Sequence, residues 1–289
     1  MTKRKRSPTE AVHEATRDID RWSAERIVRA IHDEDLNAHA AVGAALPRII
    51  EAAEMLSVVL GGGGRWFNVG AGTSGRLGVA DAAEIPPTFG LGPDRVQALI
   101  AGGERALLRA VEGAEDHPER AIFELHERRL SAGDAVVAIS ASGTTPYTLG
   151  ALEVAHEVGA RTVAITCAED SPLADAAEIP IVLRVGPEVI AGSTRMKGGL
   201  AQKMVLHLLS TTVMIRLGCV RGNLMAQLRP ASAKLRDRAV RILMELGRLD
   251  HARAESLLAS CGGDLAEATR RAQEALLREN TRERTASRR

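Results

Sequence analysis

The stretch Arg65-Trp-Phe-Asn-Val-Gly-Ala-Gly-Thr-Ser-Gly-Arg-Leu-Gly78 runs from apolar residues into glycines and hydroxyls, and then into a helical pattern. A strand that ends this way offers backbone N–H groups and a helix N-terminus to an anion, above all a phosphate. A second unit of the same design follows at Asp134-Ala-Val-Val-Ala-Ile-Ser-Ala-Ser-Gly-Thr-Thr-Pro-Tyr147. One glycine-rich loop is a weak signal; two hydroxyl-rich loops, each at a strand-to-helix transition, are a stronger one. Around them, short β-like runs at Trp66–Val69, Val96–Ile100, Ala135–Ile139, Thr162–Thr166 and Ile179–Val185 alternate with helical segments. The third and fourth runs are almost continuously apolar, as strands covered on both faces are. The alternation predicts an α/β fold, a three-layer sandwich in which helices cover both faces of a mainly parallel sheet. Ligands of such sheets sit at the carboxyl ends of the strands, where both loops lie.

The loops do not fit a nucleotide. Gly70, Gly72 and Gly75 read G-x-G-x-x-G, but the acid expected about 20 residues on, at the end of a second strand, is missing. The nearest acid, Glu84, precedes Pro86-Pro87 instead, and Arg76-Leu77 stands where a P-loop needs Lys-Ser/Thr. Glycines at such places also make plain tight turns. The excess of hydroxyls decides for a small phosphorylated ligand, with Gly72, Thr73, Ser74, Ser140, Ser142, Thr144 and Thr145 as its expected contacts.

Composition narrows the remaining choices. The 289 residues are 45% hydrophobic but only 2% aromatic, so Ala, Val, Leu and Ile must fill the core. A net charge of +1 gives no electrostatic case for nucleic acid or membrane. The basic ends Lys3-Arg4-Lys5-Arg6 and Ser287-Arg288-Arg289 read as solvated tails. Cys167, Cys219 and Cys261 are far apart, and the eight histidines form no H-x-x-x-H pair, so no metal is expected. With no signal peptide and no apolar run of about 18 residues, the chain reads as soluble and cytoplasmic.

Residues 1–22 are polar and expected to be mobile. Ser23 is placed to cap a helix running to Asp35, and a second helix is expected from Asn37 to Leu60, broken or kinked near Pro47 and stopped by glycines 61–64. A long helix is expected over Arg195–Leu217, with Ala201, Val205, Leu208, Leu209, Thr212 and Ile215 as its buried stripe. Another covers Ala233–Leu246. The phosphate-binding domain is thus expected to span 23–246. A small helical domain over 247–280 follows, with Asp264 capping its last helix, and then a disordered tail over 281–289.

Two groups of acids stand near the loops. Glu84 falls where the helix after the first loop should be stopped by Pro86-Pro87. There Ile85 and Phe89 would desolvate it and raise its pKa, which suits a general acid. Glu115 belongs to Glu112-Gly-Ala-Glu115-Asp116. Taken singly, either acid is more often a surface charge or a cap than a catalyst.

Together these segments resemble the N-acetylmuramic acid 6-phosphate etherases, a family built on the sugar isomerase (SIS) domain. The resemblance is carried by Ile31-His-Asp-Glu-Asp35, Val69-Gly-Ala-Gly-Thr-Ser-Gly-Arg-Leu-Gly78, Pro86-Pro-Thr-Phe-Gly90, Leu99-Ile-Ala-Gly-Gly103 and Ala110-Val-Glu-Gly-Ala-Glu-Asp116. It continues through Gly186-Pro-Glu-Val189, Gly192-Ser-Thr-Arg195 and Gly222-Asn-Leu-Met225. It implies an SIS-type fold and cleavage of the lactyl ether of a phosphorylated amino sugar. It also implies Glu84 and Glu115 as the catalytic carboxylates, a homodimer, and neither metal nor organic cofactor. The chain departs from the family in having Thr144 where Arg is usual, Ile85 where Cys is usual, and Pro230-Ala-Ser-Ala-Lys234 where Ala-Thr-Asn-Glu-Lys is usual. The first departure removes a cation beside the second loop. Two rival readings share the fold: a sugar-phosphate isomerase, and a non-catalytic sugar-phosphate sensor resembling glucokinase regulatory proteins.

Overall fold

The computed structural model describes residues 8–230 and 232–286, with side chains to residue 278. Strands β1 (Trp66–Gly70), β2 (Val96–Ile100), β3 (Ala135–Ile139), β4 (Arg161–Thr166) and β5 (Ile179–Val182) form one parallel sheet in the order β2-β1-β3-β4-β5. All five predicted strands are present, the last ending at Val182 rather than Val185. Every residue of β1 and β3 is buried.

Among the described residues ten α-helices accompany the strands: α1 (Ala24–Gly61), α2 (Gly72–Phe89), α3 (Arg105–Leu108), α4 (Pro118–Glu127), α5 (Pro146–Val158), α6 (Pro172–Ala176), α7 (Lys197–Arg216), α8 (Ala233–Gly247), α9 (His251–Ser260) and α10 (Leu265–Ala286). Phe67, Val69, Val136, Ala138 and Ala164 pack with Leu125, Ala151, Leu152 and Ala155 of α4 and α5. Alternate strand positions point the other way, where Asn68 and Ile139 meet α2 at Gly78. Asn68 is a polar residue in the sheet interior for a reason. Its Oδ1 accepts from Trp66 Nε1 at 2.8 Å and its Nδ2 donates to Gly78 O at 3.1 Å, tying β1 to the helix that follows it.

The described residues divide into two compact units: 8–82 with 94–213, and 83–93 with 214–286. The expected boundary at 246/247 therefore falls inside the second unit. Its core joins α8 to α9 and α10 through Val240, Leu243, Ala254, Leu258 and Leu265. Ser232, Asp250 and Asp264 cap these helices by accepting from Leu235, Arg253 and Glu267 N–H at 3.2, 2.9 and 3.0 Å. Ser232 is one of the departures from the family, and it keeps a side chain suited to capping where Asn is usual.

Several local expectations are corrected. Ser23 does cap α1, but α1 is one helix. Pro47 removes the bond to the carbonyl of residue 43, yet Ala41, Val42, Ala45, Ile49, Ala52 and Leu56 continue one buried stripe across it, and that packing outweighs the proline's cost. Pro86-Pro87 do not stop α2, which runs on to Phe89; the missing N–H groups fall in its last turns, where Gly90 N–H still bonds Pro86 O at 3.0 Å. On α7 the buried stripe is Ala201, Val205, Leu206, Leu209 and Val213, whereas Thr212 and Ile215 are exposed. The expected stripe drifted round the helix because its apolar residues occur on more than one face. From Pro8 to Arg21 the chain forms three single-turn 3-10 segments instead of a mobile arm. Gly192 N–H bonds Thr9 O at 2.9 Å and the buried Thr16 hydroxyl donates to Val189 O at 2.9 Å. Residues 1–7, with the basic cluster 3–6, lie outside the described residues. The C-terminal tail is helical to Ala286, its Glu, Arg and Ala content favouring helix, and 287–289 lie outside the described residues.

Asp134 anchors the start of β3. It is 2% exposed and accepts from Arg65 N at 2.8 Å, Arg65 Nη2 at 2.7 Å, Ser131 N at 2.9 Å and Ser131 Oγ at 3.0 Å. Burial alone would raise its carboxyl pKa, but the Arg65 and Ser131 hydrogen bonds outweigh that and hold it below the ordinary value. A depressed folded pKa gives stability that is present above the unfolded pKa of about 3.9 and is lost as pH falls through the folded value. Asp134→Asn should therefore cost about 3 kcal/mol at neutral pH, and the gap in melting temperature from the parent should narrow below about pH 4. A gap that stays constant from pH 7 to pH 3 would mean that the charge of Asp134 contributes nothing.

Candidate active site

The two loops follow neighbouring strands, β1 and β3, where the strand order reverses. The chain leaves β1 toward β2 on one side, while β3 lies on the other, and Gly70 is in register with Ile139. Loops after neighbouring parallel strands at such a switch point diverge and leave a crevice between them. In the first loop, Gly70 and Gly75 touch through their backbones: a Cβ on Gly75 would stand 2.7 Å from Gly70 O and 2.6 Å from Ile100 Cγ1. This contact lets α2 start directly at the strand end, and the first N–H groups of such a helix suit an anion.

Beyond β3, the hydroxyls form a chain. Ser140 Oγ lies 2.8 Å from Thr145 Oγ1 and 3.3 Å from Ser142 Oγ, and Thr144 donates to Ser142 Oγ from both its N–H, at 3.2 Å, and its Oγ1, at 3.0 Å. Ser140 Oγ also accepts from Gly143 N–H at 3.1 Å. Gly143 has φ +67°, and a Cβ there would lie 2.3 Å from Ser171 Oγ, so the loop closes against Ser171 only without a side chain. Thr145 and Pro146 then open α5. The structure thus brings Ser140, Ser142, Thr144 and Thr145 together.

Of the first-loop residues, Gly72 lines a cavity of about 180 Å³ with Arg76, Val111, Glu112 and Glu115. Glu115 is exposed on a 3-10 turn, Ala114–Asp116, which follows Gly113. A carboxylate therefore shares a cavity with the N-terminus of α2 and with a guanidinium. That suits a base beside an anion-holding end. Arg76, noted in the sequence only for not being a lysine, is the cation there, and its Nε donates to Leu107 O at 3.3 Å. Ser74, another of the expected contacts, is buried, and its hydroxyl donates to Gln202 Oε1 at 2.9 Å. Glu84 does not line the cavity. It belongs to the second unit and is exposed, while Ile85 and Phe89 are buried. Its apolar neighbours go into packing instead of covering the carboxylate, so the expected desolvation is not found.

The sequence did not disclose the polar residues behind the loops. Glu188, fully buried, accepts from Lys197 N at 3.0 Å and Gly198 N at 2.8 Å and so caps α7 from a distance in the chain. Burial raises its carboxyl pKa despite those N–H groups. Lys197 Nζ in turn lies 2.5 Å from Glu34 Oε2, and His13 Nε2 lies 3.1 Å from Glu34 Oε1. Gly186-Pro-Glu-Val189 could have flagged Glu188, but its partners come from a helix start that only the fold brings near. Among the described residues no group of His, Cys, Asp or Glu is arranged to hold a metal ion, and no helix is long and apolar enough to cross a membrane.

Comparison with known proteins agrees with the fold. The glucokinase regulatory protein N-terminal SIS domain family matches residues 48–156, and the SIS domain family matches residues 117–212. The chain is 49% identical to the N-acetylmuramic acid 6-phosphate etherase of Gloeobacter violaceus over 88% of its length and 83% of that protein. It is also 49% identical to that of Symbiobacterium thermophilum, over 90% of this chain and 86% of that one. This chain belongs to the N-acetylmuramic acid 6-phosphate etherase family. Among solved structures, a phosphoheptose isomerase from Francisella tularensis superposes with a TM-score of 0.51 at 17% identity, over 66% of this chain and 98% of that one. At that identity the likeness is of fold alone. For this etherase family member it agrees with the SIS-type fold that the family model gives.

Proposed function

We propose that the chain cleaves the D-lactyl ether of N-acetylmuramic acid 6-phosphate, giving N-acetylglucosamine 6-phosphate and D-lactate in the recycling of cell-wall amino sugars. The observation that carries this reading is the 49% identity to etherases over most of both chains. The hydroxyl chain and the α2 N-terminus supply a fitting place for the 6-phosphate, whose remote binding energy would orient the reacting carbons.

The chemistry is an elimination followed by hydration. In the open-chain sugar the C1 aldehyde acidifies the C2 proton. Glu115 takes that proton, the electron pair forms a C2–C3 double bond, and the C3–O bond breaks. Glu84 gives the departing lactate oxygen its proton. Water then adds at C3 and C2 is reprotonated. Each proton transfer is worth about 10² to 10⁴ in rate. The role of Glu115 is supported by its place in the cavity beside Gly72; that of Glu84 is supported by its match to the family's carboxylate. A homodimer and a cytoplasmic location belong to the same proposal, and light scattering of the purified protein tests the first.

The deciding experiment incubates the purified protein with N-acetylmuramic acid 6-phosphate and assays D-lactate, which neither an isomerase nor a silent sensor releases. In ¹⁸O water the label should enter C3 of the amino sugar and not the lactate hydroxyl, since the elimination breaks the bond between C3 and the ether oxygen. Label in the lactate hydroxyl would place cleavage on the lactyl side and overturn the mechanism.

A further inference from the structure

Ser74, in the first turn of α2, is 8% exposed and turns its hydroxyl proton inward, to Gln202 Oε1 at 2.9 Å. Gln202 on α7 is 1% exposed, and its Nε2 is buried without a hydrogen-bond partner. A buried amide donor with nothing to donate to is a costly group that calls for an explanation. The backbone around it has little freedom to relieve it. Glu188 holds the N–H groups of Lys197 and Gly198, Lys197 is paired with Glu34, and a Cβ on Gly199 would lie 3.3 Å from Thr73 Cγ2. The amide of Gln202, by contrast, can turn over in place.

Half a turn about its last torsion exchanges Oε1 and Nε2. Nε2 then donates to Ser74 Oγ, and the Ser74 hydroxyl proton is released. The atom left unpartnered becomes a carbonyl oxygen, which proteins tolerate better than an orphaned N–H. A hydroxyl released in the first turn of the phosphate-loop helix becomes free to donate, and charge-assisted bonds to an anion are the stronger kind. We infer that Gln202 is a positioning residue of the phosphate loop, its amide setting whether Ser74 directs its proton into the protein or toward bound phosphate. This rests on the reading of the turn from Gly70 to Gly75 as the phosphate site.

The test is a double-mutant cycle on KM. Gln202→Met keeps the volume and removes both polar ends. It should raise KM for the phosphosugar about tenfold while kcat stays within about twofold. In a Ser74→Ala background the same change should move KM by less than about twofold, because no hydroxyl remains to be directed. Gln202→Glu keeps the shape and, when ionised, can only accept, which pins the Ser74 proton inward. It should show the same coupling, and it serves if the methionine variant does not fold. A merely structural Gln202 would lower the melting temperature in both backgrounds with no coupling in KM. Equal fold-changes in the two backgrounds, or an unchanged KM, overturn the inference. Calorimetric titration with inorganic phosphate separates this from the activity: coupling in phosphate affinity by a chain that releases no D-lactate would sink the etherase reading and leave the assignment of Gln202 standing.

Discussion

Glu115→Gln is expected to leave the fold intact and to lower kcat at least about 10²-fold. The side chain is exposed on the wall of its cavity, so the fold does not lean on it. Glutamine keeps the size and one acceptor oxygen but cannot take up the C2 proton. The melting temperature should therefore stay put while turnover collapses. Glu84→Gln should lower turnover to a similar extent, with a different signature. With the base intact, deuterium from solvent can still enter C2 of the substrate while lactate release is slow. With Glu115 replaced, both exchange and release should fail together. Near-normal turnover by a folded Glu115→Gln protein would remove that residue from the mechanism. Exchange persisting in that variant and failing in Glu84→Gln would reverse the two roles.

The contrast between these glutamates shows where the sequence was legible. The sheet was readable because β1, β3 and β4 are short apolar runs bounded by glycines and hydroxyls, and their period differs from that of the flanking helices. The loop from Ser140 to Thr145 was readable because its hydroxyls are neighbours in the chain and meet one another by local geometry. Helix ends set by a side chain three residues away, as at Ser23 and Asp264, were readable in the same way. What failed depended on distant partners. The burial of Ser74 against Gln202 was not legible, because only the fold brings α7 to it. Pro47 and Pro86-Pro87 looked like helix breaks because local propensity says nothing of packing that holds a helix through a proline. The desolvation of Glu84 was inferred from Ile85 and Phe89, but on a helix adjacent residues face different directions. Burial of the neighbours does not bury the acid.

Ser142→Asp should abolish binding of the phosphorylated sugar without unfolding the protein. Ser142 Oγ already accepts from Thr144 N–H and Thr144 Oγ1, at 3.2 and 3.0 Å. An aspartate oxygen can accept the same bonds, as such side chains do in tight turns, so the loop retains its shape. The phosphate does not retain its site. At about 5 Å and an effective dielectric of about 20, each pair of like unit charges costs about 3 kcal/mol. A carboxylate facing a phosphate that carries between one and two charges should thus weaken binding by more than about 10²-fold. Ser142→Asn has nearly the same shape without the charge, and should weaken binding by no more than about tenfold, the scale of one altered neutral hydrogen bond. Equal losses in the two variants would mean that shape, not charge, is felt at this position. The departure at Thr144 sharpens the comparison, because the family's usual arginine there would offset an added carboxylate and this chain has no such cation at that position. Restoring it as Thr144→Arg in the Ser142→Asp background should recover part of the lost affinity. Unchanged affinity of Ser142→Asp for the phosphosugar would move the phosphate away from the hydroxyl chain altogether.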